Sequence, residues 1–149
     1  MAKETTWVVV ADGAKARIFA NKGSGSGITS VEERIDPEAR KPTRDLGADK
    51  PGRSFESADN TRHAMASPAD WHQEEKQKFL SELAAHLDTA VQQNRFDALV
   101  IVAPPEALGL LRKSLAGATA KRVQGELAKD LTNAPEPDLA KALTSVIAL

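Results

Sequence analysis

The chain has 149 residues, with 20 Lys+Arg against 21 Asp+Glu and a formal net charge of -1, which predicts one domain and excludes histone-like and basic-tail proteins. It has no cysteine, so disulfide frameworks, zinc-thiolate sites, iron-sulfur clusters and thiol nucleophiles are excluded. Alanine supplies 25 of the hydrophobic residues and leaves 36 larger apolar side chains for a core, which is economical for this length.

Trp7 to Ala11 is a β-branched run closed by Asp12-Gly13, a hairpin signal. The next stretch alternates, with Ala14, Ala16, Ile18 and Ala20 on one face and Lys15, Arg17 and Phe19 on the other. This predicts a strand buried on both faces beside one buried on a single face. Gly23-Ser24-Gly25-Ser26-Gly27 lacks the Lys-Ser/Thr of a P-loop, has the wrong spacing for G-x-G-x-x-G, and reads as a hairpin tip. Ile28 to Ile35 supplies a third strand and completes an antiparallel meander.

From 36 to 67 the pattern fails. Only Leu46, Phe55 and Met65 are large and apolar there, and Pro37, Pro42, Pro51, Gly47 and Gly52 interrupt any regular element. So long an irregular stretch inside a compact domain is usually functional or disordered. A helix is predicted from about Pro68 to Asn94, with Ser67 as cap, Pro68 at its first position and Asp70 at the capping-box acid. Phe79, Leu80, Leu83, Leu87, Ala90 and Val91 form its apolar stripe. Phe96 to Ala103 reads as a central parallel strand. Pro105 or Glu106 opens a helix with Leu108, Leu111 and Leu115 inward, and Lys121 to Leu127 is a shorter strand. Thr132 or Asn133 caps a last helix carrying Leu139, Leu143, Val146 and Ile147. The order βββ, long loop, αβαβα predicts a single α/β domain over 1–149 with a mixed sheet.

The N-terminus lacks the long hydrophobic region of a secretory signal, and the longest apolar stretch, Ala98 to Pro105, is too short to span a bilayer. A cytoplasmic protein without a membrane partner is the expectation.

Acids stand near several element ends: Asp12, Glu74, Glu75 and Glu106. Converging, they would hold Mg²⁺ for phosphodiester chemistry, but the turn accounts for Asp12 and a helix N-terminus for Glu106. His63, His72 and His86 have no metal-ligand spacing, and His86, flanking the apolar stripe, reads as a partly buried structural residue. No cofactor, metal ligand or catalytic residue is assigned.

The long loop is the most informative segment. Arg40, Lys41, Arg44, Lys50 and Arg53 face only Asp45 and Asp49 between positions 40 and 53, and local positive charge is what phosphate binding requires. Phe55, with Arg62 and His63, adds an aromatic able to stack on a base and further donors. Arg40, Lys41, Arg44, Lys50, Arg53, Phe55, Arg62 and His63 are therefore the candidate RNA-binding residues.

Four blocks, WVVVADGAKARIF, GRSFESADNTRHAM, FDALVIVAPPEALGLLRKSL and ELAKDLTNAPEPDL, lie in order from Trp7 to Leu139 and together resemble the bacterial host attachment proteins. That family is similar to the middle domain of archaeal and eukaryotic class I translation release factors, which implies an RNase H-like α/β fold. In the release factors the loop before the long helix carries Gly-Gly-Gln and promotes peptidyl-tRNA hydrolysis. The corresponding stretch, about Gly47 to Ser67, has no Gly-Gly pair and no glutamine, so the resemblance implies contact with tRNA or the ribosome without release chemistry.

The expectation is a release-factor-like RNA-binding module rather than an enzyme. The alternatives are a hydrolase or metal-dependent nuclease acting on RNA, and a module that binds a protein partner. Any role in attachment to a host is then expected to be indirect.

Overall fold

The structure is a computed structural model that describes residues 4–23, 25–36 and 68–147. Its five strands are β1 (Thr6–Ala11), β2 (Lys15–Asn21), β3 (Thr29–Ile35), β4 (Ala98–Val102) and β5 (Val123–Leu127). Four helices lie among the described residues: α1 (Pro68–Gln92), α2 (Pro105–Ser114), the short α3 (Gly117–Ala120) and α4 (Glu136–Leu143). The strands form one mixed sheet in the order β3-β2-β1-β4-β5. β1 pairs antiparallel with β2 and parallel with β4, while β3 and β5 form the edges, antiparallel to β2 and parallel to β4 respectively.

β1 reads Thr-Trp-Val-Val-Val-Ala without alternation and is buried throughout because helices cover both faces of the sheet. On one face Trp7, Val9, Ile18, Leu99 and Ile101 pack against Phe79, Leu80, Leu83 and Leu87 of α1 and Leu108 and Leu111 of α2. On the other, Val8, Val10, Phe19, Val100 and Val102 meet Leu139 and Leu143 of α4 and Ile147 beyond it. The domain thus has three layers, two helices on one side and one on the other. Among the described residues, no helix is long and apolar enough to cross a membrane.

Phe19 departs from the expectation that β2 is buried on one face, being only 1% exposed. The Arg17 guanidinium lies 5.0 Å from its ring centroid, and Arg17 Nη1 donates to the carbonyls of Thr132 at 3.2 Å and Ala134 at 2.6 Å. The segment leading into α4 therefore covers what the alternation marks as a solvent face. The cap assignment of α4 also changes. Its N-cap is Pro135, without a side-chain cap bond, and Thr132 and Asn133 bond elsewhere. The hairpin tip after β2 is tied by Asn21, whose side chain donates to Gly27 O at 2.7 Å and accepts from Gly23 N at 3.2 Å. Ser67 and the Asp70 side chain lie outside the described residues.

Both edge strands carry an extra residue. Register slips at Val31, between the pairs Ile18–Glu32 and Phe19–Ser30, and at Gln124, between Leu99–Val123 and Val100–Gly125. Such bulges twist an edge and weaken it as a template for further pairing. β3 is also fastened to α1, since His86 Nε2 stands 2.7 Å from Glu32 Oε1. The β5 bulge turns Val123 toward α1 and α2 but Leu127 toward α4. It also sets Gly125 beneath Val146, where an added Cβ would stand 2.2 Å from Val146 Cγ1. Valine is stiff at χ1 and yields poorly, so Gly125→Ala is expected to cost about 1–2 kcal/mol as overpacking, read as a lower urea midpoint. An unchanged midpoint would show that Val146 moves freely.

Candidate functional site

β1, β3, β4 and β5 all end at the same edge of the sheet, as the pairing with β2 and β4 requires. From β1 the sheet grows first toward β2 and β3 and then, after the crossover through α1, on the other side toward β4 and β5. The change of direction falls between β1 and β4. In open α/β sheets ligands bind outside the carboxyl ends of strands at such a switch point. Here that place is bordered by the Asp12–Ala14 turn, the start of α2 at Pro105 and Glu106, the first turns of α1, and residues 129–133 after β5.

Asp12 organises the turn. Its Oδ1 accepts from the backbone N–H groups of Ala14 and Lys15, each at 2.8 Å, and its Oδ2 lies 3.0 Å from Thr132 Oγ1. The Thr132 hydroxyl is fully buried and also stands 2.5 Å from Asp130 Oδ1. Lys15 Nζ reaches Asn133 Oδ1 at 3.3 Å and Glu33 Oε2 at 3.6 Å. One side of the switch point is thereby closed by bonds between segments about 120 residues apart in the chain.

The other side is built by α1. His72, Gln73 and Lys76 continue the three- and four-residue spacing of Phe79, Leu80 and Leu83, so the inward stripe turns polar where the helix passes the sheet edge. The Lys76 stem crosses Gly13 so closely that a Cβ there would stand 2.4 Å from Lys76 Cγ. Gly13 is not among the glycines with positive φ, so the lysine, not the turn, demands glycine. Lys76 Nζ donates to Glu106 Oε1 at 2.9 Å and Gln73 Nε2 to Glu106 Oε2 at 3.0 Å. The hydrogen bonds from Lys76 and Gln73, with the charge of Lys76, hold the Glu106 carboxyl below its ordinary pKa. What this pair adds to stability is present above the ordinary glutamate range and is lost as pH falls through the lowered value.

Two of the four acids considered for metal binding, Asp12 and Glu106, thus border the switch point, each engaged in protein bonds, while Glu74 is exposed on α1. Among the described residues, no group of three or more His, Cys, Asp or Glu is placed to hold a metal ion. His72 meets the Trp71 ring edge to face, with centroids 5.5 Å apart. The candidate RNA-binding residues Arg40, Lys41, Arg44, Lys50, Arg53, Phe55, Arg62 and His63 lie outside the described residues. Both flanks of their segment are described and stand at this edge: Asp36 N donates to Ala14 O at 2.8 Å, and the first turns of α1 reach Glu106.

Fold and edge together define a three-layer α/β domain with a polar switch point. The chain belongs to the family described as proteins required for attachment to host cells, which matches residues 7–143. No curated protein matches it in sequence. Among solved structures it is similar to an archaeal protein at 11% identity and a TM-score of 0.52, over 97% of this chain and 35% of that one. The chain therefore spans about a third of the length of that protein, and the likeness is one of fold.

Proposed function

We propose that the chain is a release-factor-like module that binds tRNA or the ribosome through its basic segment and does not hydrolyse it. The observation that carries this reading is the placement of the segment's flanks. The described residues on either side of a stretch with a net charge of +3 between residues 40 and 53, Asp36 before it and the first turns of α1 after it, stand at the carboxyl edge of the sheet beside the switch point. Positive charge there is suited to phosphates, with Phe55 and His63 as stacking partners. The missing Gly-Gly-Gln removes the reason to expect release chemistry. Attachment to host cells then depends on the protein indirectly, through its action on RNA in the cytoplasm.

The expected result is retardation of tRNA, or co-sedimentation with ribosomes, that weakens steeply with salt and is reduced by the triple replacement of Arg44, Lys50 and Arg53 with alanine. Losing three phosphate contacts lowers the salt slope by about 3. A wild-type protein that sediments free of ribosomes at low salt and leaves tRNA unretarded would falsify the reading. Mg²⁺-dependent cleavage of the RNA would replace it with the nuclease reading.

A further inference from the structure

Surface lysines usually keep the freedom of a flexible four-carbon stem and act as mobile point charges. Lys76 does not. It occupies the inward stripe of α1, and its stem lies over Gly13 with the position of an added Cβ 2.4 Å from Cγ and 2.9 Å from Cδ and Cε. The stem thus packs over a segment more than 60 residues away in the sequence, and its ammonium group reaches Glu106 at the switch point. A third of the Lys76 side chain remains exposed. Its partner is a carboxylate with an amide donor on its second oxygen, the Gln73 side chain. One lysine and one amide donating to two oxygens of an anion is also a donor set for a phosphate, which lysine binds as a point charge.

We propose that Lys76 is a phosphate-binding residue and that Glu106 holds its place until an RNA phosphate replaces it. This rests on the RNA-binding reading above and gives it a contact within the described residues. Glu106 is suited to such a role. Its side chain is 56% exposed and can turn into water, and exposed pairs contribute little net stability. Its partners lower its pKa, so it remains a charged competitor throughout the neutral range. The position is also appropriate, since Ala14, which follows Gly13, accepts the hydrogen bond from Asp36 N that begins the exit of the basic segment.

The test uses the full chain with Glu106→Gln, Lys76→Met, the double variant and Glu136→Gln, an exposed acid of α4 that controls for net charge. Bulk tRNA is titrated by fluorescence anisotropy at several salt concentrations. Glu106→Gln is expected to bind about two- to fivefold more tightly than both wild type and Glu136→Gln, the range that an exposed ion pair withholds. Lys76→Met is expected to weaken binding and reduce the salt slope by about 1. In its background Glu106→Gln should do no more than Glu136→Gln. Each variant's far-UV circular dichroism midpoint is measured alongside, so that a gain in affinity at an unchanged midpoint is read as displacement, and the Glu106 variant stays informative even if Lys76→Met is unstable.

Inorganic pyrophosphate, followed by two-dimensional NMR at the amides of Gly13, Lys76 and Ala107, separates this site from the RNA reading. If tRNA binds but Glu106→Gln equals Glu136→Gln, the displacement is wrong and the RNA reading stands. If tRNA does not bind, but pyrophosphate shifts these amides and does so more strongly in Glu106→Gln, the RNA reading fails and the phosphate site stands. Silence in both titrations overturns both.

Discussion

Trp7→Ala is expected to lower stability by about 3–5 kcal/mol, the cost of removing a large aromatic from a packed core. Trp7 is 3% exposed in β1 and stacks on Phe96 with ring centroids 4.9 Å apart and planes tilted by 32°. The Arg95 guanidinium covers its ring at 4.9 Å, so alanine removes a cation–π contact as well as an aromatic pair. Little can move in to fill the space. Phe96 is pinned where the chain enters β4, since Asp97 N donates to Thr5 O at 2.8 Å and the Asp97 carboxylate accepts from Thr5 N at 2.9 Å. With a urea m-value of about 1–3 kcal/mol/M for a domain of this size, the far-UV circular dichroism midpoint should fall by roughly 2 M. Arg95→Ala, which leaves both rings in place, should move it by no more than a quarter of that. A loss below about 1 kcal/mol for Trp7→Ala would mean that the stack does not organise the joint between β1 and β4.

The order of elements could be read from the chain because each rests on local repetition: β-branched runs for β1 and β4, and three- and four-residue spacing for α1. The misread parts depend on distant partners. Thr132 has the form of a helix cap, but its hydroxyl bonds Asp12 across 120 positions. Phe19 has the form of a solvent-facing residue until α4 and its lead-in cover it. The four-residue α3 has no apolar stripe to announce it and is held by Asp88 of α1, which accepts from Ala116 N at 3.1 Å and from the Thr119 hydroxyl at 2.5 Å. At the site, Asp12 and Glu106 were visible as acids at element ends. Lys76 has no motif around it, and its one signal is its spacing from Phe79, Leu80 and Leu83, which places a charge on the core-facing stripe. A charged residue on such a stripe indicates where a helix overhangs the sheet. The relation of Gly13 to Lys76 leaves no local trace, because the glycine looks like an ordinary turn residue.

The Asp12 carboxylate separates a structural acid from a chemical one. Asp12→Ala removes both bonds to the turn's N–H groups and the Thr132 contact, and hydrogen bonds to a charged acceptor contribute about 1.5–3 kcal/mol each. Partial rescue by water brings the expected loss to about 2–4 kcal/mol in a urea titration. Asp12→Asn should behave differently. Thr132 has one hydroxyl proton to offer and faces two carboxylates, Asp12 at 3.0 Å and Asp130 at 2.5 Å, so at most one is fully served. In the asparagine variant the side-chain oxygen still accepts from Ala14 N and Lys15 N, and the amide donates to Thr132, whose proton is then free for Asp130. Weaker acceptance at the turn is offset by a matched set of donors and acceptors, and stability is expected to stay within about 1 kcal/mol of wild type. tRNA binding should be unchanged as well, because a turn acid need only accept hydrogen bonds. If Asp12→Asn instead keeps the fold but abolishes a Mg²⁺-dependent activity on RNA, the carboxylate's charge is needed for chemistry, since the asparagine retains the turn and lacks only the charge that a metal requires.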